Sequence, residues 1–242
     1  MSGAARPAGP AERPLVVRRL GLVPYRAGLE LQERLVVRRR AGEVPDTLLL
    51  LEHPHVITLG SSSDPAHVLA DDAELERMGI DRFEVGRGGD VTYHGPGQLV
   101  AYPILDLKPD RKDLHAYLRD LEDVLLGVAA AYGVSAERRP GATGIWTGSG
   151  KLAAIGVRVS SGWITSHGVA LNVHGDLSYF DTIVPCGIAG ATVTSLAREL
   201  GRRVGLGEVA DELLRQMCRV FGLREADDVP TAVASTTLFD PS

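Results

Sequence analysis

The sequence predicts an α+β or mixed α/β fold. Short apolar or alternating segments, which are typical of strands, interleave irregularly with segments whose apolar residues recur every three or four positions, as in helices. No internal repeat is visible, and no apolar stretch approaches the roughly 20 residues of a membrane span. A chain of 242 residues can bury a sizeable core in one large or two small domains.

Strands and helices are assigned from these patterns in chain order. Strands are predicted at residues 15–20, 47–51, 56–59, 83–85, 99–103, 145–146, 151–159, 163–165 and 167–173, with a further β-prone segment between the glycine turns of 86–98. Helices or helical turns are predicted at 24–40, 74–78, 113–132, 176–180, 193–200 and 208–221. Asp113 starts the longest predicted helix, and Gly133 suits the left-handed position that follows a helix.

Composition and charge exclude several functional classes. A charged fraction of 24% and an apolar fraction of 44% are ordinary for a globular protein. The net charge of −5 gives no electrostatic reason to expect nucleic acid or an anionic membrane as a partner. Two cysteines without a secretory signal favour a reducing cytoplasm. Residues 1–13 and 229–242 are expected to be poorly ordered tails around one domain at 14–228.

The segment Ile-Val-Pro-Cys-Gly-Ile at residues 183–188, here called the cysteine turn, presents a thiol between a proline and a glycine. Proline fixes its own φ and glycine frees the next one, so Cys186 stands on a rigid turn. It is either a nucleophile or a small packed residue. Lys151, one of three lysines among 26 basic residues, starts an apolar strand and could exchange a proton with a thiol. From the residues alone, an exposed loop lysine is an equal interpretation.

Three patterns suggest sites that their neighbours do not support. Gly150-Lys151 is not a phosphate loop, because the positions for its first glycine and its hydroxyl residue hold Ile145 and Leu152. Segment 86–91 lacks the third glycine of a dinucleotide motif. The histidines of segment 52–55 lack nearby acidic or cysteine ligands for a metal. Neither ATP, NAD nor a metal is predicted.

Five motifs occur in a fixed order along the chain. They are LLEHP at 50–54, RGGDVTYHGPGQ at 87–98, GKLAAIG at 150–156, HG at 167–168 and IVPCGI at 183–188. Together, over residues 15–221, they resemble the octanoyltransferase family of lipoate biosynthesis (lipoate biosynthesis protein B). The resemblance implies an α+β fold of the lipoate/biotin protein ligase type, a single domain with a larger sheet, a smaller sheet and surrounding helices.

The resemblance also implies a reaction, in which Cys186 and Lys151 are the catalytic residues. Family members move an octanoyl group from octanoyl-acyl carrier protein to a lysine of a lipoyl domain, in 2-oxoacid dehydrogenases or the glycine cleavage H protein. By analogy, the Cys186 thiolate takes the octanoyl group as a thioester, and the acceptor lysine then attacks it. Lys151 would favour the thiolate and manage protons. No cofactor is implied, and a monomer is expected.

The family's substrate-binding positions map onto three segments of this chain. They are Arg87, Gly88, Gly89, Asp90, Val91, Thr92, Tyr93, His94, Ala154, Ile155, Gly156, His167, Gly168 and Val169. Their glycines would let acyl carbons run along the backbone, between side-chain walls that include Tyr93, His94 and His167. His53 is a further candidate for the lining. Backbone N–H groups near Lys151 and Cys186 are expected to hold the oxyanion.

Two other functions remain open. An ATP-dependent lipoate–protein ligase shares the fold, works through an acyl adenylate and needs no cysteine nucleophile. A non-catalytic acyl-binding scaffold would keep the pocket and tolerate the loss of Lys151. The cysteine turn and the missing nucleotide loop favour octanoyl transfer.

Overall fold

The computed structural model describes residues 13–185 and 190–226 and has the α+β architecture that the sequence predicts. Its strands are β1 (Arg13–Leu22), β2 (Asp46–Glu52), β3 (Val56–Leu59), β4 (Asp81–Glu84), β5 (Val91–His94), β6 (Gln98–Ile104), β7 (Glu137–Arg139), β8 (Ala142–Thr147), β9 (Gly150–Val159), β10 (Thr165–Asn172) and β11 (Leu223–Ala226). Eight form a mixed sheet in the order β11-β1-β2-β6-β10-β9-β8-β7, and three form a small sheet in the order β4-β3-β5. The larger and smaller sheets are therefore both present.

Helices and 3₁₀ turns cover these sheets. They are α1 (Tyr25–Arg40), α2 (Asp72–Met78), α3 (Leu114–Ala131), α4 (Leu196–Leu200), α5 (Leu206–Phe221) and the 3₁₀ turns Pro65–His67 and Leu177–Thr182. The Asp113 side chain caps α3 by accepting from the N–H groups of His115 and Ala116, and Gly133 has φ +74° after its end. Within the described residues, no helix combines the length and hydrophobicity that a membrane span requires.

The large sheet is covered on both faces, because its central strands are apolar on both sides. In β2, Leu48 and Leu50 face the core beneath α3 and α5, whereas Leu49 and Leu51 face the core beneath α1. This alternation places successive side chains on opposite faces of the strand. The predicted apolar run at 47–51 is thus a buried central strand. Cys218 on α5 packs against the first core, as expected.

The segment after β9 differs from its prediction. The sequence predicts a separate strand at residues 163–165, but Trp163 lies in the turn that joins β9 to β10, with φ +63°, and Thr165 is the first residue of β10. Ile164, between them, forms an isolated antiparallel bridge with Asp106. The N–H of Trp163 donates to the carbonyl of Ser160 (2.9 Å), which closes this turn. The β-propensity of tryptophan is outweighed here by the geometry of the hairpin.

The helix expected at 193–200 begins later, at Leu196. Ser195 is its N-cap and accepts from the N–H of Arg198 (3.3 Å). Val193 is extended and forms a parallel bridge with Lys151 of β9. The short charged strands β7 and β11 were not predicted, because their sequences, ERR and LREA, show no apolar alternation.

Gly168 shows how tightly the sheet is packed at β10. A Cβ at this position would collide with the carbonyl oxygen of Ala101 and lie 2.6 Å from Cδ of Pro103. We expect Gly168→Ala to lower the free energy of unfolding by about 2–3 kcal/mol, because backbone atoms must shift. Gly207→Ala on α5, where nothing lies within 4 Å of the added carbon, should be neutral or slightly stabilising. Urea denaturation compares the two, and equal stability would contradict the prediction.

Candidate active site

A cavity of about 270 Å³ lies between the glycine loop (residues 86–90), the strands β9 and β10, and the first turns of α3. Every predicted substrate-binding residue except Tyr93 lines it, as does Lys151. Its volume lies just below the roughly 300–1,000 Å³ of typical ligand pockets. It therefore suits a small ligand. It is called the acyl cavity below, after the ligand that the sequence resemblance implies.

Opposed glycines form the floor of the acyl cavity. Gly156 of β9 and Gly168 of β10 are register partners in the sheet. A Cβ on Gly156 would lie 2.9 Å from Cδ of Arg87 and 3.2 Å from the carbonyl oxygen of Gly88. The missing side chains thus let the glycine loop approach the sheet while space for a chain-like ligand remains.

Arg87 holds the glycine loop against the small sheet. The side chain is 6% exposed. Its Nη2 donates to the carbonyl (2.7 Å) and the hydroxyl (2.8 Å) of Thr58, and Nη1 donates to the carbonyl of Gly88 (3.0 Å). Much of the donor capacity of this guanidinium therefore serves the protein's own backbone and Thr58.

His94 is fixed by a buried chain of amide groups. Its Nδ1–H donates to Oε1 of Gln98 (2.6 Å), whose Nε2 donates to Oδ1 of Asn172 (2.9 Å). Nδ2 of Asn172 then donates to the carbonyl of Thr194 (3.0 Å). The order of donors and acceptors along these three hydrogen bonds assigns the proton of neutral His94 to Nδ1 and leaves Nε2 as an acceptor. The cavity wall is thereby connected to the chain that follows the cysteine turn.

The histidines at and behind the cavity are neutral at physiological pH. Burial lowers the pKa of His94 to about 3, with a smaller contribution from His53. Burial, with smaller contributions from the nearby charges of Arg87 and Arg158, lowers the pKa of His167 to about 4. His53 also has a pKa of about 4 because of burial. The cavity therefore carries no imidazolium charge that would oppose an apolar ligand.

His167 is held in an unusual backbone conformation. Its φ is +55° inside β10, and the left-handed region is uncommon for residues other than glycine. Its N–H donates to Oε1 of Gln32 on α1 (2.7 Å), a side chain that is 1% exposed. The buried amide therefore supports the strained residue that lines the cavity.

Tyr93 and His53 lie outside the lining. The Tyr93 ring packs against Phe180 and Tyr179 in the core of the small sheet, and its hydroxyl pairs with Nδ1 of His55 (2.7 Å). Alternation along β5 turns Tyr93 away from His94. His53 lies behind the wall, between the carbonyl of Val23 and the Tyr102 hydroxyl.

Lys151 is a buried lysine at the cavity. It is 5% exposed, and its Nζ lies 5.2 Å from the ring centroid of Trp146 on β8. The register of β8 and β9 shifts beside this pair, which is a bulge of the kind that re-aims side chains near active sites. Gly144 leaves room for the lysine, because a Cβ there would lie 3.0 Å from Cε of Lys151. The predicted catalytic lysine is thus held at the cavity rather than in an exposed loop.

The chain enters the cysteine turn beside Lys151. Pro185 and Lys151 line one small cavity together with Thr92 and Phe180. Cys186, the predicted nucleophile, and residues 187–189 lie outside the described residues. Since Cys186 directly follows Pro185 in the chain, the described part of the turn leads to the lysine side of the cavity.

The chain that leaves the cysteine turn is tied to Lys151 by its backbone. The Lys151 N–H donates to the carbonyl of Thr192 (2.8 Å), and the Thr194 N–H donates to the carbonyl of Lys151 (3.0 Å). Oε1 of Glu199 accepts from the hydroxyls of Thr194 (2.6 Å) and Thr147 (3.1 Å). The Lys151 N–H is consequently engaged and does not serve as the oxyanion donor expected near it.

Sequence patterns did not identify several residues of the lining. Tyr25, Tyr102, Leu114, Leu118 and the segment 141–143 also line the acyl cavity. Leu114 is 42% exposed, although its helical spacing predicts a core position. No sequence pattern marked Leu114 as part of the cavity rim, because its spacing is that of a core residue.

Comparison with known proteins places the chain among acyl-handling proteins. Residues 24–218 match the family model of the lipoyl protein ligase A/B catalytic domain. A curated octanoyltransferase of Chloroflexus aggregans is 50% identical over 214 residues, which cover 88% of this chain and 97% of the relative. One of Rubrobacter xylanophilus is 53% identical over 210 residues, which cover 86% and 94%.

Solved structures show the same fold. A T. acidophilum protein of the lipoate protein ligase type, solved with lipoic acid bound, superposes with a TM-score of 0.72 at 18% identity. The superposition covers 90% of this chain and 89% of that chain. This likeness confirms the lipoate/biotin protein ligase-like fold that the sequence motifs imply.

The neutral histidines predict a pH dependence of stability. Unfolded histidines titrate near pH 6.5, whereas His53, His94 and His167 have folded pKa values of about 3–4. Below pH 6.5 the unfolded chain therefore binds more protons, and stability falls as pH decreases toward 4. We expect the free energy of unfolding at pH 5.5 to be lower than at pH 7.5 by about 1 kcal/mol for each buried histidine.

Urea denaturation at the two pH values measures this loss. His167→Asn, which tolerates a left-handed φ, should reduce the loss by about one third. His115→Gln, at an exposed position, should leave it unchanged. Equal stability of the parent protein at pH 7.5 and 5.5 would contradict the assignment of neutral histidines.

Proposed function

The chain belongs to the lipoyl protein ligase A/B catalytic-domain family, and we propose that it moves an octanoyl group from octanoyl-acyl carrier protein to a lipoyl-domain lysine through a thioester on Cys186. Octanoyltransferase relatives about 50% identical over most of the chain make it an acyltransferase of protein lipoylation. The acceptors we propose are the lipoyl domains of 2-oxoacid dehydrogenases and the glycine cleavage H protein. We further propose a monomeric cytoplasmic enzyme with its catalytic domain at residues 14–228.

One observation carries this proposal: the lining of a small cavity with glycine-rich walls includes a buried lysine, and that lysine also lines a second small cavity together with Pro185 of the cysteine turn. Apolar side chains such as Ile155, Val157 and Val169 contribute to the wall, together with neutral histidines. An aliphatic chain gains free energy on entering such surroundings, and no charge there opposes it. The acyl carbonyl would then lie between Lys151 and the cysteine turn.

In the first half-reaction, the Cys186 thiolate attacks the carbonyl carbon of the octanoyl thioester. A bond from the Cys186 sulfur to this carbon forms, and the bond to the carrier's sulfur breaks. The carrier's thiolate takes a proton from the Lys151 ammonium and leaves as a thiol. An ammonium close to a cysteine stabilises the thiolate that begins this step.

In the second half-reaction, the neutral amine of the acceptor lysine attacks the octanoyl-Cys186 carbonyl. The carbon–nitrogen bond forms, Lys151 takes the proton that the amine loses, and the Cys186 thiolate leaves. The products are an amide and an enzyme in its starting protonation state. Lysine suits this role because its amine can both release and accept a proton, whereas a guanidinium retains its proton.

The thioester donor is already activated, so the proposed reaction needs no ATP. An ATP-dependent ligase is the second candidate function, since lipoate protein ligases share the fold. The octanoyltransferase relatives favour transfer. The two functions differ in a direct test, because a ligase releases AMP from ATP and a free acid.

The proposed intermediate predicts a covalent adduct. Mixing the protein with octanoyl-acyl carrier protein, without acceptor, should add one octanoyl mass that maps to Cys186 and that hydroxylamine removes. Intact-mass spectrometry and peptide mapping measure it. Cys218→Ala should retain the adduct, because Cys218 is a half-buried residue of α5 that packs against the core and is not the proposed nucleophile. An unmodified wild-type protein, or an equal adduct on Cys186→Ser, would exclude the covalent mechanism.

If Lys151 transfers protons, its replacement should lower turnover even when the new side chain is positively charged. Lys151→Met should lower kcat for octanoyl transfer by roughly 10²–10⁴-fold. Lys151→Arg keeps a positive charge but cannot release a proton, so turnover should remain low. Steady-state transfer to a lipoyl domain measures both, with the exposed Lys112→Met as the matched control. Normal turnover of Lys151→Met would show that Lys151 is not catalytic.

A further inference from the structure

His67, which none of the five sequence motifs includes, connects the acyl cavity to the cysteine turn. It ends the 3₁₀ turn Pro65–His67, which follows the small-sheet strand β3. Its Nδ1 donates to Oδ2 of Asp90 (2.6 Å), and Asp90 lines the acyl cavity. The side chains of the pair are 28% and 13% exposed, so the contact is largely shielded from solvent. A hydrogen bond to a carboxylate of this length is a strong one.

Asp90 orders the glycine loop through its other oxygen. Oδ1 accepts from the N–H of Val91 (2.8 Å) and from the N–H of Asp64 (3.2 Å). Both carboxylate oxygens are thus used within the protein, although the sequence motif assigns Asp90 to substrate binding. The arrangement indicates that Asp90 joins the cavity wall to the segment that carries His67.

The backbone of His67 holds the chain that enters the cysteine turn. Its carbonyl accepts from the N–H of Val184 (2.8 Å), and the next residue, Val68, forms an antiparallel bridge with Ile183. The N–H of Leu69 also donates to the carbonyl of Thr182 (2.8 Å). Val184 precedes Cys186 by two residues in the sequence, so a shift of His67 displaces the chain shortly before Cys186.

We propose that His67 is a positioning residue, which fixes the cysteine turn relative to the acyl cavity by bonding Asp90 with its side chain and Val184 with its backbone. The inference rests on the proposed function, because it assumes that Cys186 attacks an acyl group in this cavity. Attack requires a sulfur about 3–3.5 Å from the carbonyl carbon, and a 1 Å misplacement can cost about 100-fold in rate. The His67–Asp90 bond spans the two parts that must keep this spacing.

Loss of the bond should affect catalysis more than stability. Partly exposed pairs contribute little to the free energy of unfolding. The alignment of thiol and carbonyl is sensitive to small displacements, whereas the affinity for the acyl chain depends on cavity walls that His67 does not form. Positioning therefore predicts a fall in kcat with a much smaller change in KM, and a merely structural role predicts a loss of folded protein instead.

Three variants separate these roles. His67→Leu removes the donor, and His67→Asn places an amide N–H close to the position of Nδ1. Asp72→Asn is the matched control. It removes a carboxylate that pairs with Arg82 of the small sheet, and this ion pair lies at the exposed surface. The measurements are the single-turnover rate of octanoyl transfer to Cys186 by intact mass, kcat and KM for octanoyl-acyl carrier protein, and the melting temperature.

We expect His67→Leu to slow acylation of Cys186 by roughly ten- to a hundredfold, with KM changed by less than about threefold. His67→Asn should restore most of the rate, and Asp72→Asn should match the wild type. If His67→Leu fails to fold, Asp90→Asn replaces it, since Asn keeps an oxygen for Val91 and Asp64 while it weakens the bond to His67. A fall of about threefold or more in its acylation rate is then the supporting result.

Distinct results overturn the inference and the proposed function. If the wild type forms the octanoyl adduct and His67→Leu forms it at the same rate, the role of His67 alone is overturned. The same holds for Asp90→Asn where that variant replaces His67→Leu. Equal losses in His67→Leu and His67→Asn do the same, because the donor would then not matter. No adduct on the wild type overturns the Cys186 mechanism and the role of His67 together.

Discussion

Two backbone hydrogen bonds between Lys151 and the chain after the cysteine turn organise this site. They join the start of β9 to Thr192 and Thr194, which are far from Lys151 along the chain, and so keep the lysine beside the returning segment. The Glu199 carboxylate supports the same segment through two threonine hydroxyls. Because the bonds use main-chain atoms, they set the position of the lysine backbone whatever its side chain does.

The acyl cavity combines buried polar residues with an interior that suits an aliphatic chain. The Arg87 guanidinium donates hydrogen bonds to Thr58 and Gly88. The burial of His94 and His167 keeps their imidazoles neutral. Buried polar groups are tolerated where each has a partner. The polar residues of the family motif therefore shape and stiffen the wall, while glycines and aliphatic side chains line much of the space that remains. This arrangement explains how a motif with charged and polar residues can line a largely apolar cavity.

Much of the fold follows from local patterns, and the exceptions have tertiary causes. The buried run of β2 and the amphipathic α3 and α5 were predictable, because periodicity reports which side chains face a core. The shortened α4 was not, since Val193 pairs with Lys151 instead of joining the helix. Leu114 had the spacing of a core residue, yet it is 42% exposed and lines the acyl cavity.

The sequence by itself determined the fold class and the residues that belong to the family motifs, and through the family resemblance it predicted that a rare lysine acts together with the cysteine turn. These depend on residue identity and spacing, which the chain carries directly. Only the tertiary structure decided which motif residues share a cavity, that Tyr93 faces another core, and that His67 links Asp90 to the cysteine turn. Such relations join residues distant in the chain, and they exist only after strands have paired in a particular register.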